Sequence, residues 1–307
     1  MCCFSGPVAS VRNTRIFARL GGGGTQFLAY QMEYSSKADE NAMILPLPVR
    51  TPATETSVRF IDLGGYPSFF EDLESGFPVK PPLTFVRSKG VETAAASAAP
   101  QLAVQEVGDY VASFVPSMKD FERLDPRFRI SADTWAKIPG YGDYGFAVFQ
   151  LKSREGKPHP MAFELESRLG GQVYFPTVHI HDGEVHDKES FDHALYLQEA
   201  AFDAVVGDYE DHDVSDVATG FVRSDRAAGE IVKIGSAQGL LDGALLVHKR
   251  ELKGSLPNED QLVGMPQASI VPPSVRRNVW PYGPLAIAGL GSGWIVARRR
   301  KLARRAQ

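Results

Sequence analysis

Cysteine is nearly missing from this 307-residue chain. There are two, Cys2 and Cys3, and they are neighbours. Adjacent cysteines pair only with strain and close no loop, so a disulfide framework is excluded. Basic excess is missing too: 33 Lys and Arg stand against 37 Asp and Glu, a net charge of −4. With no recognition helix and no aromatics interleaved among Lys and Arg, nucleic acid is not an expected partner. There is no internal repeat, no glycine-rich phosphate loop and no GxSxG elbow. The N-terminus lacks the charged start and apolar run of a secretory signal peptide, so the expected location is cytoplasmic.

What remains is the composition of a globular protein, 43% hydrophobic and 23% charged, with enough apolar residues for a sizeable core. Residues 14–20 (TRIFARL) and 26–34 (QFLAYQMEY) alternate on either side of four glycines and predict a hairpin. Residues 42–49 (AMILPLPV) predict a strand at a sheet edge, or one leaving the sheet, because Pro46 and Pro48 cannot donate to a ladder. Further strands are expected over 57–63, 101–114, 145–152, 160–167 and 191–198, with short helices over 66–73 and 117–124. Many strands on short connections and few amphipathic helices predict an α+β fold, β-dominated, with mostly antiparallel sheets and a few short helices. The expected organisation is one domain over 1–270, with an internal boundary near 88–100 (SKGVETAAASAAP) as the alternative, then a C-terminal tail over 271–307.

The tail is apolar and then basic. Residues 279–297 (VWPYGPLAIAGLGSGWIVA) carry no charge, and RRRKLARR follows. Nineteen residues just reach across a bilayer as helix. Prolines and glycines dilute the run, and the positive-inside rule opposes a tail anchor that pushes Arg298, Arg299, Arg300 and Lys301 across. A span, an interfacial or protein-docked tail, and disorder are the three readings. The first two imply membrane contact through the tail.

The succession CCFSGPV, RIFA, a second strand bearing tyrosine, and ILPLPV resembles an uncharacterised bacterial surface-type domain family. Val107-Gly108-Asp109-Tyr110, the helix over 119–124 and the strand over 146–152 continue the similarity, which covers about residues 1–165. The resemblance implies a cell-surface protein with a signal peptide and a C-terminal membrane helix, and no known activity. This chain departs from it in lacking the signal peptide and in having adjacent cysteines.

Histidine is sparse, seven in all, yet three fall within residues 179–186 of VYFPTVHIHDGEVH. Asp182-Gly183 predicts a two-residue hairpin turn with both central φ angles positive. That register opposes His179 to His186 and His181 to Glu184. It gathers His179, His181, Glu184 and His186 on one face, with Val178, Ile180 and Val185 on the other. Opposed side chains stand about 4.5–5.5 Å apart at Cβ, a separation that suits Zn or another first-row divalent metal. His193 and Asp192 follow closely enough to serve as a fourth ligand or as partners of the ligands. The alternatives are a proton-handling site without metal and a solvated amphipathic ribbon. His159, His212 and His248 read as loop or surface residues.

Cys2 carries the rival reading. Once Met1 is removed its own amine can act as base, as in N-terminal-nucleophile amidohydrolases, although Gly6-Pro7 breaks the first strand such enzymes need. A third reading is a non-enzymatic interaction domain tethered through its tail. Thiol donation to a metal held by the histidines would merge the first two.

Overall fold

Residues 42–47, AMILPL, have no polar face to offer water, and every residue of that strand is buried. The reason is that both faces of its sheet are covered. The structure is a computed structural model that describes residues 2–38, 41–78, 104–108, 110–130, 135, 140–182, 184–208 and 219–266. The 88–100 boundary, the acidic stretch around His212, and the tail with its apolar run lie outside the described residues.

One sheet has six strands: β1 (Cys2–Phe4), β4 (Asn41–Leu47), β6 (Val104–Val107), β7 (Tyr110–Val115), β8 (Gly145–Leu151) and β12 (His179–Ile180), in the order β12-β1-β4-β8-β7-β6. The other has eight strands. Its path comprises β2 (Val8–Leu20), β3 (Thr25–Ser36), β5 (Val58–Asp62), β10 (Met161–Glu166), β13 (Lys188–Gln198), β14 (Val222–Arg223) and β15 (His248–Pro257), in the order β14-β15-β13-β2-β3-β10-β5. The short β9 (Glu155–Gly156) adds to β3, and β11 (Val173–Phe175) pairs separately with β16 (Gln261–Val263). Most pairings are antiparallel; β13 with β2 and β1 with β12 are parallel. This is the expected β-dominated α+β fold.

Strand alternation builds three apolar layers. Met43, Leu45 and Leu47 of β4 and Ala147 and Phe149 of β8 face Leu28, Tyr30 and Met32 of β3 and Phe163 of β10, filling the space between the sheets. Phe60 and Phe149 meet there edge to face, their centroids 5.6 Å apart. The opposite side of the eight-stranded sheet, with Phe17, Ala29, Ala162 and Tyr196, is capped by α1 (Phe69–Glu74) and α3 (Ala228–Ile231). The outer side of the six-stranded sheet, with Cys3, Ile44, Phe146, Val148 and Ile180, is covered by the turns that carry Phe121, Leu124 and Phe128. Each fully buried Phe or Leu contributes about 1.5–3 kcal/mol, so these three layers supply the driving force for folding. The remaining helix α2 (Ala200–Asp203) is one turn. Among the described residues no helix is long and apolar enough to cross a membrane.

The prolines of β4 needed a different explanation. β4 is central rather than an edge, lying between β1 and β8. β1 reaches only Met43 and Ile44, whereas β8 continues to Leu47. Pro46 therefore sits beyond the end of its neighbour, and its missing N–H leaves no ladder bond unmade. The stretch over 101–114, expected as one strand, is instead the hairpin β6–β7, turning at Gly108 with φ +55°.

Candidate functional site: an imidazole column between the sheets

The segment 179–187 does not fold back as a hairpin. His179 and Ile180 form β12 and pair in parallel with β1, Cys2 in register with His179 and Cys3 with Ile180. The backbone groups that the hairpin needed are taken elsewhere. Asn258, which follows β15, accepts from the His179 N–H at 2.7 Å and donates Nδ2 to the carbonyls of His179 and His186, both at 3.0 Å. Asp182 closes a local turn by accepting from the Glu184 N–H at 2.9 Å. One side-chain amide thus replaces a strand pairing, and the turn chemistry of Asp-Gly is overridden by tertiary contacts.

The expected four-residue face divides accordingly. Val178, Ile180 and the partly buried Val185 do share one side, packed on the outer layer of the six-stranded sheet. Glu184 and His186 are exposed, and the His186 ring lies 3.2 Å from Asp182, which raises its pKa. They do not join the other imidazoles. His179 alternates with Ile180 and so points between the sheets, where it meets His193 from β13. Their Nε2 atoms are 2.9 Å apart. The rings stack at 4.6 Å between centroids, and His181 stacks on His179 at 4.9 Å. Phe191 lies 4.5 Å from His179, and Phe4 closes the column beside His181.

The electrostatics follow from this apolar seam. Burial is the main cause that lowers His179 to about 2 and His193 to about 3, and the N-terminal amine and the neighbouring imidazoles add to it. His181 is lowered by burial as well, against the opposing pull of Asp182 and Asp192. All three rings are neutral at pH 7. Two neutral imidazoles can share a single hydrogen across facing Nε2 atoms, so one ring donates and its partner carries its proton on Nδ1. Both Nδ1 atoms are buried and have no hydrogen-bond partner among the described residues, and the same holds for Nε2 of His181. Asp192 Oδ1 lies 3.8 Å from His193 Nδ1, too far for a hydrogen bond.

Sequence reasoning missed the residues that hold this column. Asn258 is one. Asp260 is another: its Oδ2 accepts from Tyr141 and Tyr174 at 2.6 and 2.7 Å, and its Oδ1 from the N–H groups of Thr177 and Val178 at 2.8 and 3.0 Å. That carboxylate fixes the chain immediately before His179. A signal for His193 was present, since Phe191, His193, Leu195 and Leu197 alternate onto one apolar face. His159 and His248 are buried, not surface residues. His159 Nε2 lies 3.1 Å from the Val107 carbonyl, and His248 Nδ1 lies 3.2 Å from that of Leu197.

Cys2 opens β1 despite Gly6-Pro7, and its register places it on the strand beside His179. Cys3 is buried in the outer layer. Among the described residues, no three His, Cys, Asp or Glu side chains are gathered closely enough to form a ready cage for a metal ion.

No family model matches the chain, and no curated protein does. Solved structures with a similar arrangement are of baculovirus P35. One crystal structure of P35 is 13% identical with a TM-score of 0.43, covering 85% of this chain and 98% of that one. P35 in its complex with caspase-8 is 12% identical with a TM-score of 0.40, covering 83% and 96%. A mutated P35 after caspase cleavage is 14% identical with a TM-score of 0.41, covering 83% and 100%. At these values the likeness assigns no activity. The resemblance to a bacterial surface-type family is overturned: no family model matches the chain. Cys3-Phe4 and ILPL lie on two adjoining strands and are buried, and short apolar runs of that kind recur wherever a strand is covered on both faces.

Proposed function

We propose that the protein binds a first-row transition-metal ion between its two sheets, through Nε2 of His179 and Nε2 of His193, with His181 stacked alongside. The observation that carries this reading is the 2.9 Å approach of two neutral, buried imidazole nitrogens from different sheets, in a seam where three further ring nitrogens have no hydrogen-bond partner among the described residues. An unpaired buried polar atom costs about 1–3 kcal/mol, and a native core leaves few of them without a role. Imidazole–metal bonds are about 2.0–2.1 Å long. Two nitrogens on one tetrahedral ion are therefore roughly 3.3 Å apart, so the rings need to part by less than about half an ångström. Both protons then reside on Nδ1, and Asp192 is the nearest carboxylate to receive the one on His193. Such an ion ties the edge strand β12 to the centre of the other sheet.

The test is metal content after purification and dialysis, in the full chain and in His179→Ala and His193→Ala variants. One equivalent of a transition metal in the parent and none in the variants is expected. Equal content in all three ends the reading.

A further inference from the structure

We infer that the open edge of β15 pairs with the same edge of a second copy of this chain, extending the eight-stranded sheet across a two-fold axis at Leu252. The short strand β14 covers β15 only at His248 and Lys249. On its other side β15 pairs with β13 along all ten residues, so its backbone is already held extended before a partner arrives. The stretch beyond Lys249 reaches solvent: Lys253 is 68% exposed and Glu251 45%, and Gly254 and Ser255 are exposed as well. N–H and C=O groups along such an edge are a template for a further strand.

Residues 250–254, RELKG, select both the occupant and the register. In antiparallel pairing about Leu252, Glu251 of each chain stands opposite Lys253 of the other, at the separation where opposite charges attract. One rotation produces both pairs, as a closed two-fold contact requires. Within one chain Glu251 holds Lys253 at 2.5 Å, so the contact joins two such pairs into a cluster of alternating charge. Arg250 falls opposite Gly254, which has open space where a Cβ would stand. Leu252, 5% exposed and packed in the layer between the sheets, meets its own copy.

Other registers are disfavoured. Moving the axis by one residue sets Lys253 against Lys253 or Glu251 against Glu251. Placing it between two residues turns the apolar side of one strand onto the polar side of the other. Charged edges ordinarily repel neighbouring strands, but two opposite charges spaced by two residues repel all registers except one. The pairing ends at Ser255 and Leu256, which would stand opposite Lys249 and His248, where β14 already lies. A ladder this short makes a weak, reversible dimer.

The test is sedimentation equilibrium of the full chain over a range of concentrations, beside Lys253→Glu and the charge-reversed Glu251→Lys/Lys253→Glu variant. The parent is expected to dimerise. Lys253→Glu opposes like charges twice and is expected to weaken the dimer roughly 10-fold or more, and the double variant to restore it. Amide exchange over 250–254 is expected to slow as the parent is concentrated, a readout that needs no variant. A parent that stays monomeric at millimolar concentration, or whose 250–254 amides exchange equally fast when concentrated, overturns the proposal. So does a dimer that Lys253→Glu leaves as tight or that the double variant fails to restore, since the contact then lies elsewhere.

Discussion

His179 Nε2 and His193 Nε2 stand 2.9 Å apart although one belongs to an edge strand of the six-stranded sheet and the other to an inner strand of the eight-stranded sheet. The two sheets are thus in polar contact at this seam. That contact depends on how the chain before and after His179 is held.

Asn258 is the positioning residue closest to it. Asn258→Ala removes three bonds to the backbones of His179 and His186 without touching a ring nitrogen. Affinity for the transition-metal ion is expected to fall about 10–100-fold, as for other residues that orient ligands. An unchanged affinity in a folded variant means the column orders itself without this amide.

Asp260 tests the same anchor from the other side. Asp260→Ala leaves the Tyr141 and Tyr174 hydroxyls and the Thr177 and Val178 N–H groups without their acceptor. Charge-assisted hydrogen bonds contribute about 1.5–3 kcal/mol each, so a loss of about 3 kcal/mol or more in urea unfolding is expected. Asp260→Asn keeps an acceptor oxygen and loses less. A variant as stable as the parent would mean that water serves these donors equally well.

Gly108 tests the packing of His159. A Cβ at Gly108 lies 2.2 Å from Nε2 of the buried His159 ring, and φ there is +55°. Gly108→Ala combines a clash with an unfavourable backbone, and a stability loss of about 2 kcal/mol or more is expected in thermal unfolding. A Tm within a degree of the parent contradicts the close packing described here.

Acid sensitivity has a defined sign. Burial lowers His248 to about 4, so the unfolded chain takes up this proton before the folded one does. The neutral ring's contribution is complete above about pH 6.5 and is lost progressively as pH falls toward 4. His248→Phe, which keeps an aromatic beside Phe202, is expected to flatten the dependence of stability on pH in that window by up to about 1.4 kcal/mol per pH unit. Parallel curves for parent and variant would show that the ring titrates as freely when folded as when unfolded.

Much of the fold was legible because strand alternation is local. The hairpin over 14–34, the strands over 58–62, 145–151, 161–166 and 188–198, and the short helix at 69–74 all follow from neighbouring residues. Pro46 misled because a proline excludes only the ladder bond on its own N–H side, and whether a neighbour reaches that point is a property of the sheet. The His segment misled for a related reason. Asp182-Gly183 encodes a turn, but Asn258, 79 residues beyond His179, offers its backbone better partners.

The alternation of apolar side chains along each strand, and hence a β-dominated core, was determined by the sequence alone, since it needs only the two-residue period of an extended chain. Which sheet each strand joined, and that two imidazoles fourteen residues apart would face each other across the seam, was decided only when the sheets packed. Those contacts are set by pairings between distant segments, and no local pattern records them.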